Sequence, residues 1–243
     1  MPINPKYIQS LVAVDCLIFG FQHQTLKVLL IKRKLEPYQQ EWSLMGGFLL
    51  GNESAEIAAA RVLKELTGLT GVYMEQIKTF SKVDRDPTER TISIVYSSLI
   101  DINKFEEQLN HDYEAQWFNI KEIPKLIFDH EDMVAEGRNF LKRKAALQPI
   151  LFELLAEKFT IPQIQQLYEE VFETSFDKRN FSRKLLASKL LNKLNEKDKF
   201  GSKKGAYYYQ LNTATNYYNF NILLNLAFFL LHRWLRIAQL TSK

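Results

Sequence analysis

The apolar positions of the first half of the chain follow two different periods. Residues 11–21 (LVAVDCLIFGF) and 27–33 (KVLLIKR) are short runs rich in Val, Ile and Leu, and the polar residues 23–25 between them read as a turn, so this stretch predicts two strands. Residues 54–68 switch to helical spacing. Ile57, Ala60, Leu63 and Leu66 predict one apolar face, and Gly68 stands just past its end. Residues 91–100 (TISIVYSSLI) predict a β-branched strand, residues 114–120 a short strand, and residues 123–147 a loop that turns into a helix. That order predicts an α+β mixed sheet packed by helices.

From about Gln148 the pattern changes. Residues 149–159, 160–172 and 177–194 predict three helices in close succession. Thr160 and Gln163 fit a capping box, Pro162 falls in the first turn, and Asp177 suits an N-cap. Residues 199–211 then predict two strand-like pieces around a Gly/Lys turn, which completes the layout of a winged helix. The last stretch, 216–243, is hydrophobic but interrupted by Asn225, His232, Arg233 and Arg236. A membrane span needs about 20 apolar residues, so an amphipathic helix packed on the protein or on a second subunit is expected instead. The expected division is 1–145, 146–215 and a tail at 216–243.

Composition narrows the class. With 46% hydrophobic and 25% charged residues, the chain has an ordinary globular balance. Its one cysteine, Cys16, excludes an internal disulfide, and without a Cys/His cluster no structural zinc is expected. The opening residues lack the pattern of a signal peptide, so a cytoplasmic setting is expected. Residues 1–145 carry 18 basic and 20 acidic side chains, whereas residues 177–205 carry 10 and 3. That local excess fits either a polyanionic partner or a solvated lysine-rich face.

The segment GGFLLGNESAEIAAARVLKELTGL resembles the Nudix box, G-x5-E-x7-R-E-U-x-E-E-x-G-U, where U is a bulky aliphatic. Gly47, Glu53, Arg61, Leu63, Glu65, Gly68 and Leu69 take matching places. Val62 and Leu66 stand where two glutamates belong. Nudix hydrolases cleave diphosphates with divalent cations held by carboxylates on this helix, and Mg²⁺ requires oxygen ligands. The resemblance therefore implies a Nudix-like α/β/α sandwich that is not an enzyme and holds no metal or other cofactor.

MGGF at 45–48, DRDP at 84–87, FDH at 128–130, KRNF at 178–181 and GSK at 201–203 extend the likeness. Together they resemble the Nudix-related transcriptional regulators, and most closely their sugar-responsive, arabinose-type branch of Bacteroidetes. This resemblance implies a homodimeric repressor. Its Nudix-like domain binds a small effector such as L-arabinose, and its C-terminal winged helix-turn-helix binds a palindromic DNA operator. The hydrophobic tail lies outside the likeness.

The residues support the DNA half separately. A helix starting at Asp177 places Lys178, Arg179 and Asn180 in its first turn, with Arg183 and Lys184 one turn on. Recognition helices meet base edges near their N-termini; Arg suits guanine, Asn suits adenine, and Lys anchors phosphate. Leu185, Leu186, Leu190, Leu191 and Leu194 are expected core, and Ser202, Lys203 and Lys204 are expected wing contacts.

For the effector, the candidates are Trp42, Gly47 and Phe48 before the box, Asp84, Arg85 and Arg90 in the DRDP stretch, and Asp129 and His130 later. An aromatic face with charged hydrogen-bonding groups suits a polyhydroxy ligand. The same residues also suit a core tryptophan and a local ion pair shaping a turn. Two alternatives remain open: a Nudix hydrolase, or a regulator responding to ADP-ribose.

Overall fold

A computed structural model describes residues 9–109, 113–199 and 205–212. The expected wing residues Ser202, Lys203 and Lys204 and the tail at 216–243 lie outside the described residues. The chain divides into two compact units, one made of residues 1–20, 27–100 and 104–137, the other of residues 21–26, 101–103 and 138–243. No helix among the described residues is long and apolar enough to cross a membrane.

The first unit is built on β1 (Leu11–Gln22), the 12-residue strand that the sequence marks most clearly. It pairs in parallel with β6 (Thr91–Ile100), from Leu11 opposite Thr91 to Gly20 opposite Ile100. β2 (Thr25–Lys32), β3 (Trp42–Ser43) and β5 (Glu75–Phe80) complete a sheet of order β3-β2-β1-β6-β5. β4 (Met45–Phe48) also pairs with β1, and β7 (Gln116–Asn119) with β2. β3, β4 and β5 escape the sequence reading because they are short or half-exposed, so no apolar run announces them.

Alternate residues of β1 point to opposite faces. Val14, Cys16 and Ile18 join the core under α1 (Ala55–Thr67), with Met45, Leu29 and Ile31. Ser54 caps that helix by accepting from the Ile57 N–H, and Gly68 ends it at φ 83°. The buried face of α1 is Ala58, Ala59, Val62 and Leu63, while Ile57 is 60% exposed and Ala60 is also at the surface. Leu63 is buried as expected and Leu66 partly so, but Ala58 and Ala59 take the places expected for Ile57 and Ala60. Alanines give little apolar signal, but here they let the helix lie close to the sheet. A Cβ on Gly47 would stand 2.6 Å from Val62 Cγ2.

On the opposite face, Leu17 and Phe19 meet α3 (His130–Leu147), which follows a short helix α2 (Ile102–Phe105). Met133, Val134 and Leu141 are buried along α3. The boundary between the two compact units falls within this helix, after Gly137. There Arg138 pairs with Glu173, and Lys142 Nζ lies 3.2 Å from the same carboxylate.

The second unit departs from the predicted three long helices. Residues 150–154 form a single 3-10 turn, followed by β8 (Phe159–Thr160). α4 (Ile161–Phe172) carries the predicted capping box between Thr160 and Gln163. α5 (Lys178–Ala187) is shorter than predicted, and β9 (Leu191–Asp198) takes the rest. The stop is local: Ser188 donates to the Leu185 carbonyl and accepts from the Leu190 N–H, and Lys189 turns left-handed at φ 57°. No Gly or Pro marks it. Leu185 and Leu190 are buried as expected, but Leu186 is 46% exposed. β10 (Ala206–Leu211) lies between β8 and β9.

The approach of α3 to β1 requires a residue without a side chain. A Cβ on Gly137 would collide with the Leu17 side chain and come within 3.3 Å of the Phe19 ring. Gly137→Ala should therefore destabilise the protein by about 1–3 kcal/mol through overpacking. This outweighs the roughly 1 kcal/mol gained in helix propensity. The shift in urea midpoint measures it; a midpoint that rises would show that α3 can move away from β1 without loss.

Candidate effector site and nucleic-acid interface

Asp15 is the one charged side chain within the apolar run of β1, and it is only 4% exposed. It accepts a hydrogen bond from the Ser93 hydroxyl on β6. Arg85 Nη2 lies 4.0 Å from it, and the same guanidinium binds Asp129 through two contacts of 2.8 and 3.0 Å. His130 Nε2 stands 3.5 Å from the other Asp15 oxygen. Its Nδ1 accepts from the Leu44 N–H at 3.1 Å, which leaves the ring proton on Nε2, facing Asp15. Burial holds the His130 pKa below its ordinary value, although Asp15 and Asp129 oppose that shift. The imidazole is neutral at neutral pH. Gly46 belongs to the same cluster, because a Cβ there would collide with the Asp15 carboxylate.

The structure thus joins three of the expected effector residues, Arg85, Asp129 and His130, into one inward-facing network. Arg90 does different work: its guanidinium donates to the carbonyls of Ser81 and Lys82, both at 3.0 Å, and braces the turn. Asp84 is exposed on that turn. Trp42 is half-buried, edge-on to Phe118 at 4.7 Å, with Lys32 Nζ 5.4 Å from its ring centroid. Its carbonyl accepts from the Ile127 N–H at 3.1 Å, which ties β3 to the segment before α3. Gly47 is half-buried beneath Val62, and Phe48 is 51% exposed.

Sequence reasoning missed Asp15, Ser93, Phe128 and Ser43, whose hydroxyl lies 3.4 Å from His130 Nδ1. Phe128 stacks edge-on between Tyr38 and His130, with the Arg33 guanidinium 5.6 Å from its ring centroid. Asp15 did leave a signal, a lone acid within a continuous apolar strand. The serines left none.

Around the Nudix-like box, Arg61 is the organising group. It binds Glu53, donates to the Phe48 carbonyl at 3.0 Å, and reaches Glu65 at 3.2 Å. The Arg61 hydrogen bond holds the Glu53 carboxyl below its ordinary pKa. Val62 is 2% exposed, and Leu66 packs partly buried against the same core. Among the described residues, no group of three His, Cys, Asp or Glu is placed to hold a metal ion.

In the second unit, Phe181 and Leu185 anchor α5. Phe181 is fully enclosed between Tyr168, at 5.7 Å, and Phe176, at 5.6 Å. Asp177 caps the helix by accepting from the Asn180 N–H at 2.8 Å. Lys178, Arg179 and Arg183 are exposed, while Asn180 and Lys184 are half-buried. Arg183 donates to the Asn180 side-chain oxygen at 2.9 Å, which orients the pair along the outer face. The preceding turn is held by Glu169, which accepts from the Phe176 N–H, and by Gln165, which donates to the Phe176 carbonyl. The helix thus presents Lys178 and Arg179 from its first turn, on a turn held by the Gln165 amide and the Glu169 carboxylate.

Residues 9–143 match the NUDIX domain, and residues 151–211 match the NrtR DNA-binding winged helix domain. Among curated proteins, the chain is 28% identical over 219 residues to an ADPR responsive transcriptional repressor, NtrR, of Acinetobacter baylyi, covering 88% of this chain and 86% of the relative. It is 37% identical over 131 residues to an ADP-ribose pyrophosphatase of Methanocaldococcus jannaschii, covering 54% and 74%. Neither name refers to a sugar regulator. Among solved structures, NrtR of Shewanella oneidensis complexed with a 27mer DNA is similar at a TM-score of 0.72 and 28% identity, over 83% of this chain and 93% of that one. A MutT/nudix family protein of Enterococcus faecalis gives 0.69 and 26%, over 86% and 89%. The chain belongs to the Nudix family, and its Nudix domain is joined to a DNA-binding winged helix of the NrtR type.

Proposed function

We propose that this chain is an ADP-ribose-responsive transcriptional repressor whose Nudix domain senses its ligand without cleaving it. One observation carries the sensing half. On α1, Val62 and Leu66 turn apolar groups into the core where the Nudix box has glutamates, and the carboxylates that remain, Glu53 and Glu65, are both held by Arg61. These residues do not fit a magnesium cluster, which needs several free oxygen donors. The length of the likeness to a repressor, across both domains, supports the regulatory half.

ADP-ribose takes precedence over the expected pentose because both curated relatives are named for it. In this reading Trp42, Gly47, Phe48 and Asp84 contact the effector, and the Arg85–Asp129–His130 network shapes the wall behind them. On α5, Arg179 and Asn180 read bases and Lys178, Arg183 and Lys184 serve the backbone, in a homodimer on a palindromic operator. A ligand that favours one state of the repressor changes operator affinity by a coupling free energy, typically 1–3 kcal/mol or about 5–150-fold.

Two measurements test this. In a thermal-shift screen, ADP-ribose should raise the melting temperature and L-arabinose should not. With Mg²⁺ present, no AMP should form at rates approaching ~1 s⁻¹, the lower range of ordinary enzymes. Turnover at that rate, abolished by Glu65→Gln, would make the domain a hydrolase; stabilisation by arabinose alone would return the effector to the sugar branch.

Arg179→Ala should cost roughly 1–3 kcal/mol at its cognate base and relax sequence preference there. Selection from a random duplex library reads this directly. An unchanged binding motif would remove Arg179 from base recognition.

A further inference from the structure

The β9–β10 hairpin carries side chains that the recognition helix does not use. Along β9, Lys193, Asn195 and Lys197 alternate with Leu194, Glu196 and Asp198. One face is therefore basic and polar, and the acids lie on the other. Glu196, on the acidic face, is neutralised by Lys158 Nζ at 2.9 Å. On the basic face, Tyr207 of β10 stands opposite Lys197 in the ladder, and a register shift follows between Tyr207 and Tyr209. Lys193 Nζ lies 3.6 Å from the Tyr207 ring centroid, and Lys197 Nζ lies 4.5 Å from it.

This arrangement differs from an ordinary solvated lysine face. Both ammonium groups rest on one aromatic ring, and neither has a carboxylate partner among the described residues. All three side chains are exposed. The ring attracts each cation, but the two cations repel one another. An anion seated beside them converts that repulsion into two attractions. Because the ring already restrains both long side chains, less rotamer entropy is lost when the anion arrives.

We propose that Lys193, Tyr207 and Lys197 form a phosphate clamp for duplex DNA, placed on the strands of the hairpin and not only at its tip. The proposal rests on the DNA-binding reading of the winged helix and adds a backbone contact to it. A clamp of this kind positions the protein without reading sequence. The same exposed ring also has the chemistry to stack on a base of single-stranded DNA, which would be a different use of the face.

The test uses the full chain and fluorescence polarisation against a labelled duplex of random sequence, titrated over a range of salt concentrations. Replacing both lysines, Lys193→Ala with Lys197→Ala, should flatten the slope of log K against log[salt] by about 1.8, the value for two lost phosphate contacts. The pair Lys193→Arg with Lys197→Arg keeps the charges and should restore the slope. Tyr207→Phe should match the parent, whereas Tyr207→Leu should weaken binding with the slope kept. Melting temperatures of all variants check the fold. An unchanged slope in the alanine pair, while Lys178→Ala still weakens duplex binding, would overturn the clamp and leave the DNA-binding reading intact. Loss confined to single-stranded DNA in Tyr207→Leu would overturn it in favour of stacking. A parent chain that binds no duplex at any salt concentration would remove both readings together.

Discussion

A carboxylate in the middle of the central strand constrains the whole first unit. Asp15 is nearly sealed from water, and an isolated buried charge costs several kcal/mol unless it is paired. Its pairing draws on four separate parts of the chain: the Ser93 hydroxyl on β6, Arg85 from the turn before it, His130 at the start of α3, and the space left by Gly46 on β4. Removing one partner of such a group typically costs about 3–5 kcal/mol, more than most single contacts in a core. The network therefore acts as a register mark. It fixes where α3 begins on the sheet and where the 81–91 turn is pinned, and these segments carry Asp84, Arg85 and His130 of the proposed effector site.

The sequence displayed the elements that satisfy their own local rules. β1 and β6 are long β-branched or aliphatic runs, and both appear with nearly their expected bounds. The capping box of α4 could be read from Thr160, Pro162 and Gln163 and forms as read. What could not be read was set by distant partners. The buried face of α1 depends on Ala58 and Ala59 and on Val62 lying against Gly47, which spacing alone does not reveal. The end of α5 depends on a buried serine and a left-handed lysine, where a helical pattern of leucines ran on unbroken. At the site, Arg85, Asp129 and His130 were visible as polar groups in loops. Their mutual engagement was not, because its centre, Asp15, lies 70 to 115 residues earlier in the chain.

Arg61 shows how a residue of a catalytic pattern also serves the fold. In the Nudix pattern the arginine belongs to a carboxylate-rich helix. In this chain it ties Glu53, Glu65 and the Phe48 carbonyl into one brace between the loop and α1. That brace gives Glu53 and Arg61 a structural role in this fold. In the second unit, Glu169 and Gln165 have a comparable role. Their bonds to Phe176 close the turn that presents α5, so the exposed cations of that helix rest on buried polar bonds as well as on apolar packing.

The contact between Val62 and Gly47 has a consequence for descent. A glutamate restored at position 62 would enter a site that is 2% exposed, next to a glycine with no room to retreat, and would meet Leu66 rather than a second acid. Alone it would be a desolvated charge, destabilising before it could be useful. The second acid, arriving first, would gain nothing without its partner. Each single step back is thus disfavoured by stability, and only both together would offer a cation a place. On the reading proposed above, the apolar helix would act as a ratchet: hydrolysis could be lost one substitution at a time, while return by the same route would pass through a buried, unpaired charge.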